Sequence, residues 1–135
     1  MRKTATILAA ALAAALSLAL LSSCASAPKE IPEDLTSREL IQRAQEASDG
    51  DNFAAAIAYY EAARERYGYD PAVLATAEYE VSFIYYKQGK YAEAEAGFLS
   101  LLARYDGPEG ESLPNTFKIL AEKLLPKVRE AMGKK

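Results

Sequence analysis

From residue 37 to residue 132 apolar side chains recur every third or fourth position, the spacing that gathers them on one face of an α-helix. Leu40, Ile41, Ala44 and Ala47 form the first stripe, opened by Thr36-Ser37-Arg38-Glu39, a Thr-x-x-Glu capping box. The turn residues Ser48-Asp49-Gly50-Asp51-Asn52 break it. Phe53, Ala56, Ile57, Tyr60 and Ala63 form a second stripe, for which Gly68 is the stop. Asp70-Pro71 pairs a capping carboxylate with a first-turn proline and opens a third, carrying Leu74, Ala77, Val81, Ile84 and Tyr85 as far as Gly89. Tyr91, Ala94, Phe98, Leu101 and Leu102 make a fourth. After the loop Asp106-Gly107-Pro108-Glu109-Gly110, a last helix over about 112–132 bears Phe117, Leu120, Ala121, Leu124, Val128 and Met132. Pro126 is expected to kink it or to end its regular part. No stretch alternates with a period of two, so the expected fold is all-α.

The first residues follow a different rule. Met1-Arg2-Lys3 precedes an apolar run of about 17 residues and then Ser22-Ser23, the layout of a secretory signal segment. A permanent transmembrane anchor is the alternative, but the run is Ala-rich and shorter than the ~20 residues that span hydrocarbon. Leu21-Ser22-Ser23-Cys24 resembles the lipobox of bacterial lipoproteins. The resemblance implies a signal peptide at 1–23, cleavage before Cys24, and lipid on that residue's sulfur and amine. Several acyl chains at ~0.8 kcal/mol per buried methylene anchor a domain stably. By the lipoprotein sorting rule, Ala25 and Ser26 in place of Asp imply the outer membrane of a diderm cell, facing the periplasm. Residues 24–35 read as the lipidated cysteine and a flexible tether, in which Ala25 to Asp34, polar and twice interrupted by proline, has a reach of about 30 Å at ~3.3 Å per residue.

Charge and cysteine usage narrow the function. Loss of Arg2 and Lys3 from the 16 basic residues leaves 14 against 19 acidic ones, and there is no histidine. The net −5 argues against nucleic acid as a partner. A single cysteine excludes an internal disulfide and any Cys-rich metal site. Without histidine there is no Ser-His or Cys-His nucleophile pair, and no glycine-rich phosphate loop occurs. Glu78 with Glu80, and Glu93 with Glu95, are i,i+2 pairs that point to different sides of a helix and read as solvated carboxylates. No enzyme, cofactor or metal is expected. Lys118, Lys123, Lys127, Arg129, Lys134 and Lys135 make the last helix basic, which suits its dipole; an acidic partner or a membrane surface is the alternative use.

An internal repeat carries the rest. Phe53 and Tyr91, Ala56 and Ala94, Tyr60 and Phe98, and Ala63 and Leu101 are each 38 residues apart. The segments from Phe53 and from Tyr91 resemble tetratricopeptide (TPR) repeats, whose pattern runs Tyr-x-x-Ala-x-x-x-Phe-x-x-Ala. One added helical turn accounts for a period four residues beyond the family's usual spacing while keeping the buried face in phase. The resemblance implies a right-handed α-solenoid over residues 36–133: repeat 1 about 37–69, repeat 2 about 71–105, then a capping helix. It also implies a concave face lined by first helices, with Thr76, Tyr79, Phe83, Tyr86 and Lys87 as the partner-binding groove, beside Cys24, which the lipobox resemblance gives as the lipidation site. Packing of Tyr79 and Phe83 against a neighbouring helix or the cap is the alternative for those two. More closely, the residues from Glu39 to Pro71 and from Ala77 to Asp106 resemble the N-terminal repeats of the BamD-type outer-membrane lipoproteins. Those members carry about five repeats where two occur here. The implied role is a non-enzymatic, lipid-anchored adaptor for a protein partner, accessory to β-barrel assembly; a self-associating scaffold for cell-envelope organisation, division or a transporter is the alternative.

Overall fold

The computed structural model describes residues 26–133. Cys24, the signal segment 1–23, Lys134 and Lys135 lie outside the described residues. Five α-helices follow one another: α1 (Ser37–Asp49), α2 (Phe53–Tyr67), α3 (Pro71–Lys87), α4 (Tyr91–Tyr105) and α5 (Asn115–Gly133), with a 3-10 turn at Gly110–Ser112. Among the described residues there is no strand, and no helix is long and apolar enough to cross a membrane. The fold is all-α. Each helix packs against the next, with lesser contacts between α1 and α3 and between α3 and α5.

The helix starts follow from local chemistry. Thr36 Oγ1 accepts the Glu39 amide at 3.3 Å while the Glu39 carboxylate accepts the Thr36 amide at 2.9 Å, closing the capping box. The Thr36 hydroxyl, donating to the same carboxylate at 2.7 Å, and then the Thr36 amide hold the Glu39 carboxyl below its usual range. Asn52 Oδ1 takes the Ala55 amide and Asp70 Oδ1 the Ala72 amide, each satisfying a donor that the first helical turn leaves open.

The 38-residue repeat is reproduced bond by bond in the two short turns. In the first, the amides of Gly50, Asp51 and Asn52 donate to the carbonyls of Glu46, Ser48 and Ala47. In the second, those of Gln88, Gly89 and Lys90 donate to Ile84, Tyr86 and Tyr85. Asp51 (φ 56°) and Gly89 (φ 71°) take the same left-handed conformation, which an aspartate tolerates and a glycine adopts freely. Ser37 and Pro71 open the first helix of each pair 34 residues apart, whereas Phe53 and Tyr91 open the second helices 38 apart. The difference is one helical turn, located in α3: it has 17 residues against 13 in α1.

Burial follows the same repeat. Ala56, Ala94, Tyr60, Phe98, Ala63 and Leu101 are all at most 1% exposed. Each large one stabilises the fold by roughly 1.5–3 kcal/mol of burial. Tyr60 packs with Ala44, Ala77, Val81 and Ile84 between α1, α2 and α3. Phe98 and Leu101 pack with Tyr79, Ala121, Leu125 and Val128 between α3, α4 and α5. A Cβ on Gly97 would stand 2.2 Å from Ser82 Oγ, so glycine lets α4 close onto α3 at that point.

Of the two outcomes expected at Pro126 the structure excludes one, and it departs from the expectation for the tether. Helix α5 passes through Pro126 without ending. The proline is exposed between buried Leu125 and Val128, so its ring sits on the water side while apolar packing holds both flanks. The segment expected to be a free tether is fastened to the domain. Leu35 is buried, Ile31 packs with it, Arg66 donates to the carbonyls of Pro32 (2.6 Å) and Ile31 (3.0 Å), and the Tyr67 hydroxyl donates to the Leu35 carbonyl (2.8 Å).

Candidate functional site

Helix α3 turns Thr76, Glu80, Phe83 and Lys87 to one side, at spacings of four, three and four residues. Beside them Tyr79, Phe83, Tyr86 and Tyr91 form a run of rings, with centroids 6.1, 6.3 and 5.9 Å apart in sequence. Where that run meets α1 and α2 there is a hollow of about 290 Å³, lined by Gln45, Ser48 and Asp49 of α1, Tyr60 of α2, and Glu80, Phe83 and Lys87 of α3.

The expected groove residues divide. Phe83 and Lys87 line the hollow, and Tyr86 is half-buried beside it. Thr76 is half-buried a turn below Glu80, its hydroxyl donating to the Ala72 carbonyl at 2.7 Å. Tyr79 does not belong to the groove. It is 7% exposed, enclosed by Phe98 at 5.7 Å and Phe117 at 5.5 Å between centroids, and its phenol is pushed up by burial. The N-terminal half of α5 covers it. Cys24, the expected lipidation site, lies outside the described residues.

Lys87 is the cation of the hollow. Its Nζ donates to Ser48 Oγ at 2.8 Å and stands 4.8 Å from the Phe53 ring centroid and 5.5 Å from that of Phe83, within cation–π range of both. Glu80 is half-buried and faces it. Burial pushes the Glu80 carboxyl up, Lys87 pulls it down, and Asp49 adds a second upward push. The Tyr60 phenol is pushed far up by burial, then by Glu80 and Asp49.

The reading of Glu78 and Glu80 as solvated is thereby corrected. Glu80 belongs to the hollow. The Glu78 side chain is 9% exposed and accepts Arg104 Nε on both oxygens, at 3.0 and 2.8 Å. Glu95 is likewise held, by Arg129 Nε of α5 at 2.5 Å.

The α1 residues of the hollow went unrecognised in the sequence, although a signal for them existed. Gln45, Ser48 and Asp49 stand 38 residues before Phe83, Tyr86 and Lys87, so the repeat offset points to them directly. The two first helices contribute the same positions to one surface, with opposite charges at Asp49 and Lys87. Such a surface has an ammonium, two carboxylates and an aromatic face, all suited to holding the side chains and backbone of another polypeptide. Among the described residues no group of three or more His, Cys, Asp or Glu is placed to hold a metal ion.

A wider and more polar hollow, about 800 Å³, lies where Ser26 and Pro28 cross α1 and α2; Glu39, Arg43, Asn52 and Tyr59 also line it.

No family model matches the chain, and no solved structure matches it. A protein of Treponema pallidum (strain Nichols), described as uncharacterized, is 31% identical over 99 residues, covering 72% of this chain and 40% of that protein. The chain therefore spans about two fifths of the length of the curated relative it matches.

Proposed function

We propose that this chain is a non-enzymatic adaptor, anchored by lipid on Cys24 to the outer membrane and facing the periplasm. Its helix pairs stack as a TPR-like right-handed solenoid, and the shared face of α1 and α3 holds an extended or helical segment of a partner protein. An accessory role in β-barrel assembly is the sharpest form of this reading.

One observation carries it: the hollow is lined by repeat-equivalent positions of both first helices, Gln45 with Phe83 and Asp49 with Lys87. A surface made by repetition grows along a stack, as a recognition groove for an elongated ligand does. The half-buried Glu80, with Lys87 and Phe83, supplies contacts for both a charged and an apolar side chain.

The test is photo-crosslinking in cells from position 83 and from position 86, with mass spectrometry of the adducts. Capture of one partner from both positions, with barrel-assembly subunits among the expected identities, supports the reading. Capture of no protein from either position sinks the groove. A second reading, self-association, is favoured by Leu99 and Ile119, which are 43% and 51% exposed on α4 and α5. In that case the adduct has twice the mass of the chain.

A further inference from the structure

The segment that ties residues 26–35 to the helices also fixes where the chain enters the domain. The Ser26 carbonyl accepts Asn52 Nδ2 at 3.3 Å, at the start of α2. The carbonyls of Ile31 and Pro32 are held by Arg66, and that of Leu35 by Tyr67, at the end of α2. Six residues of extended chain cover about 20 Å at ~3.3 Å each, and the fourteen helical residues from 52 to 66 cover about 21 Å at ~1.5 Å each. The lengths agree. The segment is thus a strap lying along α2, entering at the α1–α2 turn.

Cys24 is two residues before Ser26, no more than about 7 Å of chain. Helices α1, α3 and α5 run the same way: Lys87 at the end of α3 meets Ser48 near the end of α1, Tyr105 at the end of α4 meets Pro114 just before α5, and Arg129 near the end of α5 meets Glu95 near the start of α4. The α1–α2 turn, the α3–α4 turn and the C-terminal end of α5 therefore share one end of the molecule. That end bears Lys87, Lys90 and Lys127 together with Asp49 and Asp51. The opposite end gathers Asp70, Asp106, Glu109 and Glu111 on the α2–α3 and α4–α5 connections.

We propose that the strap orients the domain on a phospholipid surface, with the turns at residues 50–52 and 88–90 against the head groups and the acidic connections pointing away. This rests on the reading of Cys24 as the lipid anchor. A free tether would let the domain tumble at any angle; a strap that leaves about 7 Å of slack does not. The hollow around Glu80 and Lys87 then opens close to the bilayer, so a partner segment is met as it emerges from the membrane surface.

The test uses the chain from Cys24 onward, coupled through its single thiol to a maleimide lipid in nanodiscs of phosphatidylethanolamine and phosphatidylglycerol doped with a gadolinium-chelating lipid. Amide relaxation is read by NMR on the 15N-labelled protein. Amides at 50–52 and 88–90 are expected to relax several-fold faster than those at 69–70 and 107–111. Arg66→Ala, or Tyr67→Phe if the first variant unfolds, is expected to flatten that gradient while the rest of the amide spectrum persists. Equal relaxation at both ends of the folded wild type, a reversed gradient, or a gradient unchanged by both variants overturns the proposal. Chemical coupling replaces modification by the cell. Absence of acyl mass on Cys24 in protein purified from cells therefore overturns the anchor, and is distinguishable from a failure of the strap.

Discussion

Glu78 and Glu80 are two residues apart on α3, and the turn of the helix gives them different surroundings. Glu78 is enclosed with Arg104 as its partner, while Arg104 keeps 38% of its side chain in water. Removing one partner is therefore not equivalent to removing the other. Arg104→Ala strands a buried carboxylate and is expected to cost about 1–3 kcal/mol. Glu78→Ala leaves a guanidinium that water can solvate and is expected to cost about 1 kcal/mol or less. Urea unfolding of both variants checks the order, and equal losses would show that the pair acts as a surface contact. Glu80 has no such partner, and its carboxyl is raised by burial despite Lys87. A group raised in the folded state binds its proton more tightly there, so stability falls as pH rises from the ordinary value of 4.5 through the raised one. Glu80→Gln removes that dependence. The variant is expected to match the wild type at pH 4 and exceed it increasingly towards pH 7, as read by urea midpoints at each pH. A variant equally or less stable at neutral pH would mean that the ionised carboxylate makes a compensating contact. In the sequence neither glutamate was distinguishable from a solvated one, because i,i+2 spacing tells which sides they take and not what covers those sides.

At the scale of elements, much was legible because it is written in neighbouring residues. Thr36 with Glu39, Asp70 with Pro71, and the apolar stripes all act over one or two helical turns, and the five helices begin and end close to where those signals stand. The strap was not legible. Its prolines and charges look like any linker, and what holds it is Arg66 and Tyr67, more than thirty residues away and without periodicity. The role of Gly97 was equally hidden, since a glycine inside a helix stripe carries no mark of the neighbour it admits. A Cβ there would lie 2.2 Å from Ser82 Oγ and 3.1 Å from Ser82 Cβ. The roughly 1 kcal/mol of helix propensity that alanine gains over glycine competes with overpacking of about 1–3 kcal/mol. Gly97→Ala is expected to destabilise on balance, by about 1 kcal/mol, because Ser82 must also give up its bond to the Glu78 carbonyl. Combining it with Ser82→Gly moves the missing side chain from one helix to the other. The pair is expected to be less destabilised than the sum of the single variants by about 1 kcal/mol or more. Strict additivity in that cycle would mean that α3 and α4 can part at this point without loss.

Over the whole molecule, each helix pair leaves an apolar face that the next element must cover, and α5 is the last cover among the described residues. Phe98, Leu101 and Tyr79 are buried against Ala121, Leu125 and Val128, whereas Tyr60 and Ile84 are buried without help from α5. Losing the burial of Leu125 and Val128 alone forfeits about 1.5–3 kcal/mol for each. The uncovered faces of Phe98, Leu101 and Tyr79 add a further loss of similar size. That sum approaches the net stability of about 5–15 kcal/mol typical of a domain. A chain ending at Leu113 is therefore expected to keep helix in α1 and α2 while α4 loses its amide protection. The exposed aromatics should bind a hydrophobic dye and drive association. Hydrogen exchange resolved by residue distinguishes this graded loss from collapse of the whole fold, because each helix packs mainly on its neighbours in sequence and can lose protection without the others. Loss of protection in α1 and α2 to the same degree as in α4 would show that the helices form one indivisible core. Unchanged protection throughout would show that α5 is an ornament on a self-sufficient four-helix unit, and the account of α5 as a cover would then be wrong.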